Sequence, residues 1–129
     1  MKPGPVVFWV PFGPETKHRV QVRVYKTKAA MVAASNWLFG PRSMDRDTLA
    51  ACGGPIVDMN DRTHVATLVF NRPHLRYRYL VHECVHAARR RAELLAIADE
   101  HAAEETEAED VEELSAGVLS ELRARRLLA

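Results

Sequence analysis

The 129-residue sequence predicts an α+β fold, a small antiparallel or mixed sheet of about three strands packed with two main helices, in one domain spanning residues 1–129. Three observations carry this expectation. Val6 to Val10 and His64 to Phe70 are runs of β-branched and aromatic residues, and His18 to Tyr25 alternates apolar with polar residues. Beyond His74, apolar residues recur at three- and four-residue spacing, the period of a helix with one buried face. The order, strands early and long helices last, lacks the regular alternation of a parallel βαβ sheet.

Taken in order, Val6 to Val10 reads as a short strand closed by the turn Pro11-Phe12-Gly13-Pro14. In His18 to Tyr25, Val20, Val22 and Val24 share one face and Arg19, Gln21 and Arg23 the other, a strand with one wet side. Lys28 to Phe39 is rich in Ala, Met, Trp and Leu without internal Pro or Gly, and Gly40-Pro41 ends it as a helix. Arg42 to Asp61, broken by Cys52-Gly53-Gly54-Pro55, reads mainly as loop, with room for a helical turn through Thr48 to Cys52. His64 to Phe70 is the strongest strand; Asn71 is placed to cap the next helix, with Pro73 in its first turn. That helix is expected from about His74 to Ile97, with Val81, Cys84, Val85, Ala88, Ala92 and Leu95 inward and Arg89, Arg90, Arg91 and Glu93 on the wet side. The acidic run from Asp99 to Asp110 is compatible with a solvated helix or a connection, and Val111, Leu114, Val118 and Leu122 mark a second amphipathic helix over Val111 to Leu128.

A hydrophobic fraction of 47% with 27% charged residues is ordinary for a globular chain and excludes collagen-like, coiled-coil and wholly disordered classes. Charge is segregated: Glu93 to Glu121 holds eleven acidic residues and no Lys or Arg, whereas Arg72 to Arg91 is basic. Pairing between these two stretches is the expected use of both, and with no recognisable binding module a nucleic-acid partner is not expected. No stretch approaches the roughly 20 apolar residues of a membrane span, and Val6 to Val10 is too short for a signal sequence, so a cytoplasmic protein without a membrane partner is expected. Cys52 and Cys84 are read as reduced thiols, Cys84 as a small buried hydrophobe.

The chemistry lies in His82-Glu83-Cys84-Val85-His86. Residues four apart on a helix lie over one another, so His82 and His86 can present both imidazoles to one cation. Glu83 lies around the helix from His82, free to take a proton from water rather than fill a ligand position. Three protein ligands leave a zinc ion one open position, and the metal lowers the pKa of water toward about 7.

With this motif following the strand at His64 to Phe70, and Glu112-Glu113-Leu114-Ser115-Ala116-Gly117-Val118-Leu119 downstream, the chain resembles the zincin-type metallopeptidases. The likeness is to their small forms from bacteria and phages, related to the immunity-element regulatory peptidases. The resemblance implies a minimal zincin-like fold and hydrolysis of a peptide or protein substrate with Zn2+. It implies His82 and His86 as metal ligands, Glu83 as general base and a glutamate of the downstream helix as third ligand. Glu112 is the residue chosen, with Glu113, Glu109 and Glu107 as alternatives. Small residues after the glutamate would let that helix approach the metal. The strand before the motif would border the substrate cleft, where an extended peptide can pair with it. An oxyanion donor is sought among Tyr77, Tyr79, His74, Arg78, His64 and His101. An unbroken helix would hold His86 and Glu112 about 39 Å apart, so a reversal is required, expected around Asp99 to Thr106. A non-catalytic zinc protein with a structural or regulatory role is the competing class.

Overall fold

A computed structural model describes residues 4–14, 17–40, 48–53 and 63–128. The elements are β1 (Val6–Phe12), β2 (His18–Tyr25), α1 (Lys28–Phe39), β3 (Ala50–Gly53), β4 (His64–Asn71), a 3-10 turn (Arg72–His74), α2 (Tyr77–Leu95) and α3 (Glu100–Ala124). The fold is α+β, with a mixed four-stranded sheet in the order β1-β2-β4-β3. β1 runs antiparallel to β2 with Val10 opposite Val20; β2 runs parallel to β4 with Val22 opposite Leu68; β3 runs antiparallel to β4 with Cys52 opposite Leu68.

The β-branched runs form the strands for the reason their composition suggests: stiff side chains cover a pleated surface well. β1 extends two residues past its expected end. Pro11 is tolerated because β1 is an edge strand, where a missing ladder donor costs little. β4 is buried at every position, because sheet neighbours flank it on both sides and helices cover its faces. α1 occupies the expected residues; Thr27 Oγ1 accepts from Ala30 N at 3.1 Å as its N-cap.

The main core lies between the sheet and the pair α2 and α3. Phe8, Val10, Phe12, Val20, Val22, Leu68 and Phe70 meet Leu80, Cys84, Leu114, Val118 and Leu122 there, each of the large side chains contributing about 1.5–3 kcal/mol by burial. A smaller cluster of Tyr25, Met31 and Val69 joins α1 to the sheet.

Four local expectations are corrected. Residues Ala50–Gly53 form a strand rather than a loop or helical turn; Ala-Ala-Cys-Gly has little strand propensity of its own, and pairing with β4 imposes it. The helix expected from His74 begins at Tyr77, because Asn71 caps the 3-10 turn instead, its Oδ1 accepting from His74 N at 3.2 Å, and Leu75 and Arg76 are extended. The reversal comes at Ala96 to Asp99: Ala96 sits in the left-handed region at φ 48°, and Asp99 Oδ1 caps α3 by accepting from Ala102 N at 2.9 Å. The acidic run is therefore the first half of α3. Finally, Val85 and Leu95 are exposed while Arg91, assigned to the wet side, is 4% exposed. Arg91 is buried because Asp110 of α3 meets it at 2.6 Å. This pair and Arg89–Glu107 at 3.7 Å realise the pairing of basic and acidic stretches.

Candidate metal centre

α2 places the motif side chains along the border of β3. Within one turn, His82 and His86 are exposed and Glu83 is 5% exposed. The two imidazoles do not engage the acidic run; their Nε2 atoms lie 3.2 Å apart. Two imidazole nitrogens bound at 2.0–2.1 Å to a tetrahedral zinc would stand about 3.3 Å apart, so the rings already hold the spacing such an ion requires. His82, Glu83 and His86 form the group of potential ligands among the described residues, with one donor atom of each within 4.8 Å of the others. Burial pushes the Glu83 carboxyl up from its ordinary range, and the neighbouring His82 opposes that shift. A buried carboxylate of raised basicity beside two imidazoles is suited to proton exchange or to ligation.

The group opens on a trough between α2 and β3. Toward the C-terminal half of α2 a cavity of about 520 Å³ is bounded by Cys52, Arg89 and Arg90 as well as the motif residues. Toward its N-terminal half a second, of about 540 Å³, is bounded by Thr48, Leu49, Arg78 and Tyr79. Both share Ala50, His82 and Glu83, so the motif stands midway along the trough. The strand at the border is therefore β3 and not β4. β4 has partners on both sides and cannot accept an extended peptide, whereas among the described residues β3 is paired on one side alone. Sequence reasoning missed this strand and the thiol of Cys52 in the trough wall. Burial raises that thiol's pKa to about 11, opposed by Arg90.

The other expected site residues are placed as follows. Glu112 is exposed on α3 and stands outside the His82, Glu83, His86 group. Of its alternatives, Glu113 accepts through Oε2 from Gly13 N at 3.2 Å, Glu107 pairs with Arg89, and Glu109 is exposed. The small residues of α3 serve the sheet rather than the motif: a Cβ on Gly117 would come within 2.8 Å of Val10 Cγ1, so the glycine lets α3 settle onto β1. Among the oxyanion candidates, Arg78 and Tyr79 reach the trough, with the Tyr79 hydroxyl accepting from Arg78 Nη2 at 2.7 Å. His64 is buried against Trp9, His74 is held by Asn71, and Tyr77 and His101 are exposed. Cys84 is fully buried, its thiol pushed up to about 12 by desolvation, in agreement with its reading as a small core residue.

Comparison with family models, curated proteins and solved structures returned no match. The class defined by fold and site together is thus an α+β protein with a His/His/Glu cluster able to hold a metal ion. No helix among the described residues is long and apolar enough to cross a membrane.

Proposed function

We propose that the chain is a zinc-dependent hydrolase of the metallopeptidase type, acting on a peptide or protein. The observation that carries this reading is the 3.2 Å spacing of the His82 and His86 Nε2 atoms beside a buried carboxylate, midway along an open trough. His82 and His86 would hold the ion through Nε2, and Glu112 is the third ligand implied by the zincin resemblance. When bound, zinc supplies a Lewis acid that polarises a carbonyl and lowers the pKa of water. Glu83 accepts the proton of the attacking water at a carboxylate oxygen and returns it to the leaving amine. The Tyr79 hydroxyl donates toward the developing oxyanion. The edge of β3 that has no partner among the described residues orients the substrate as an added strand.

A second reading is favoured by the closeness of Glu83 to both histidines: Glu83 itself fills a ligand position, and the protein is a non-catalytic zinc module with a structural or regulatory role. Glu83→Gln separates the two. A hydrolase keeps its zinc in this variant and loses at least about a hundredfold in turnover of a peptide mixture. Loss of zinc from Glu83→Gln, with no cleavage by the native chain, establishes the second reading and overturns the first. Glu112→Gln tests the third ligand, since retention of full zinc affinity removes it from the set.

A further inference from the structure

The row of residues that carries the motif is longer than the motif. Arg78, His82, His86 and Arg90 follow one another at four-residue spacing on α2, so they form one stripe along the helix. The whole stripe borders the trough: Arg78 closes its N-terminal half and Arg90 its C-terminal half, with the histidines between. Both arginines are exposed, and among the described residues neither is ion-paired with a carboxylate; Arg78 reaches the Tyr79 hydroxyl and Arg90 the Cys52 thiol. Their neighbour Arg89 differs, being paired with Glu107. Among the described residues, two cations without carboxylate partners thus stand at opposite ends of a trough whose floor is a strand paired on one side alone.

We infer that the trough selects extended peptides carrying acidic side chains on both sides of the scissile bond, with Arg78 and Arg90 as the specificity-determining residues. This inference rests on the hydrolase reading for the location of the scissile bond. The spacing sets the register. At 1.5 Å of rise per residue, Arg78 and Arg90 each lie about 9 Å along the helix from the midpoint of His82 and His86. An extended peptide advances about 3.3 Å per residue, so the acidic side chains fall about three residues to either side. A guanidinium pairs with a carboxylate through two parallel N–H donors, a geometry lysine does not offer. The trough favours a peptide over a nucleic acid, because Glu83 and Glu93 also line it and would repel a continuous phosphate backbone, whereas an open strand edge pairs with peptide groups.

The test uses the full chain carrying Glu83→Gln and loaded with zinc, so that bound peptide is not consumed. Two fluorescent peptide mixtures share a randomised uncharged core; one has Asp at the two flanking positions and the other Lys. Anisotropy should show the Asp mixture binding at least about tenfold more tightly at low salt, with the gap closing as salt is raised. Adding Arg78→Glu and Arg90→Glu should invert the preference, and Arg78→Gln with Arg90→Gln should abolish it, while circular dichroism stays unchanged because both positions are exposed. Equal binding of the two mixtures, no binding of either, an acidic preference that survives the Glu substitutions, or displacement of the peptide by single-stranded DNA of equal charge would each overturn the inference. Cleavage by the native zinc-loaded chain is followed separately. Cleavage without charge preference removes the acidic specificity and leaves the hydrolase reading standing; the charge-dependent preference without cleavage does the reverse.

Discussion

Removing one partner of the Arg91–Asp110 pair should cost far more than removing both. The two charged atoms are 2.6 Å apart, and the side chains are 5% and 4% exposed. Asp110→Ala leaves the Arg91 guanidinium buried, with His18 Nδ1 as an acceptor at 3.0 Å and no carboxylate to neutralise it. A buried charge stripped of its partner costs about 3–5 kcal/mol, whereas replacing both members by apolar groups of similar volume is often neutral. A chain of this length has about 6–19 kcal/mol of stability in total, so Asp110→Ala should consume a large part of it. The corresponding fall in Tm is on the order of 15 °C. The double variant Arg91→Met, Asp110→Leu should lie within about 2 kcal/mol of the native chain and well above either single variant. Urea denaturation followed by far-ultraviolet circular dichroism measures all four proteins. Single variants that each lose less than about 1 kcal/mol, with additive effects in the double, would refute the reasoning and with it the register of α2 on α3.

Gly13→Ala should destabilise by about 1–3 kcal/mol, read from the same denaturation curves, because Gly13 has φ 86° and an added Cβ would come within 2.7 Å of the pinned Arg91 Cζ. Burial and then the Arg91 cation lower the pKa of His18, against a smaller opposing pull from Asp110. A histidine whose folded pKa is depressed contributes stability that is present above its unfolded pKa of about 6.5 and lost as pH falls from there toward the folded value. His18→Gln should therefore flatten the stability profile below pH about 6.5, and an unchanged acid slope would count against it. The thiols should resist modification: with pKa values raised to about 12 and about 11, Cys84 and Cys52 stay protonated at pH 8. Mass spectrometry should find Cys84 alkylated by iodoacetamide after unfolding alone. Stability should then fall above pH 9, where the unfolded chain releases thiol protons that the folded one keeps, and Cys84→Ala should lessen that fall.

What could be read from the sequence was local. The histidine pair of the motif is specified by an interval of four on one helix, and the alternation of Val20, Val22 and Val24 places them in the core; the opposite side of β2, expected to be wet, is covered as well, with Gln21 5% exposed and Tyr25 packed with Met31 of α1. What was missed depends on partners distant in the chain. Ala50–Gly53 becomes a strand through β4, and without it neither the trough nor its open edge can be seen. Arg91 looks like a surface residue until Asp110, nineteen positions away, is brought against it. The same limit governs the third ligand: choosing among Glu112, Glu113, Glu109 and Glu107 requires the register of two antiparallel helices. The acidic run gives no sign of that register, because more than half of its positions offer a carboxylate. The reversal likewise comes earlier than the sequence predicts, since Ala96 carries none of the usual markers of a left-handed helix end.

Whether His82 and His86 form a zinc site is decided by elemental analysis. The native chain is purified without chelators or an affinity tag, alongside His82→Ala and His86→Ala. A zinc site built on both histidines gives stoichiometric zinc in the native chain and none in either variant. Zinc-free native protein under zinc-replete conditions, or variants that hold as much metal as the native chain, would contradict it.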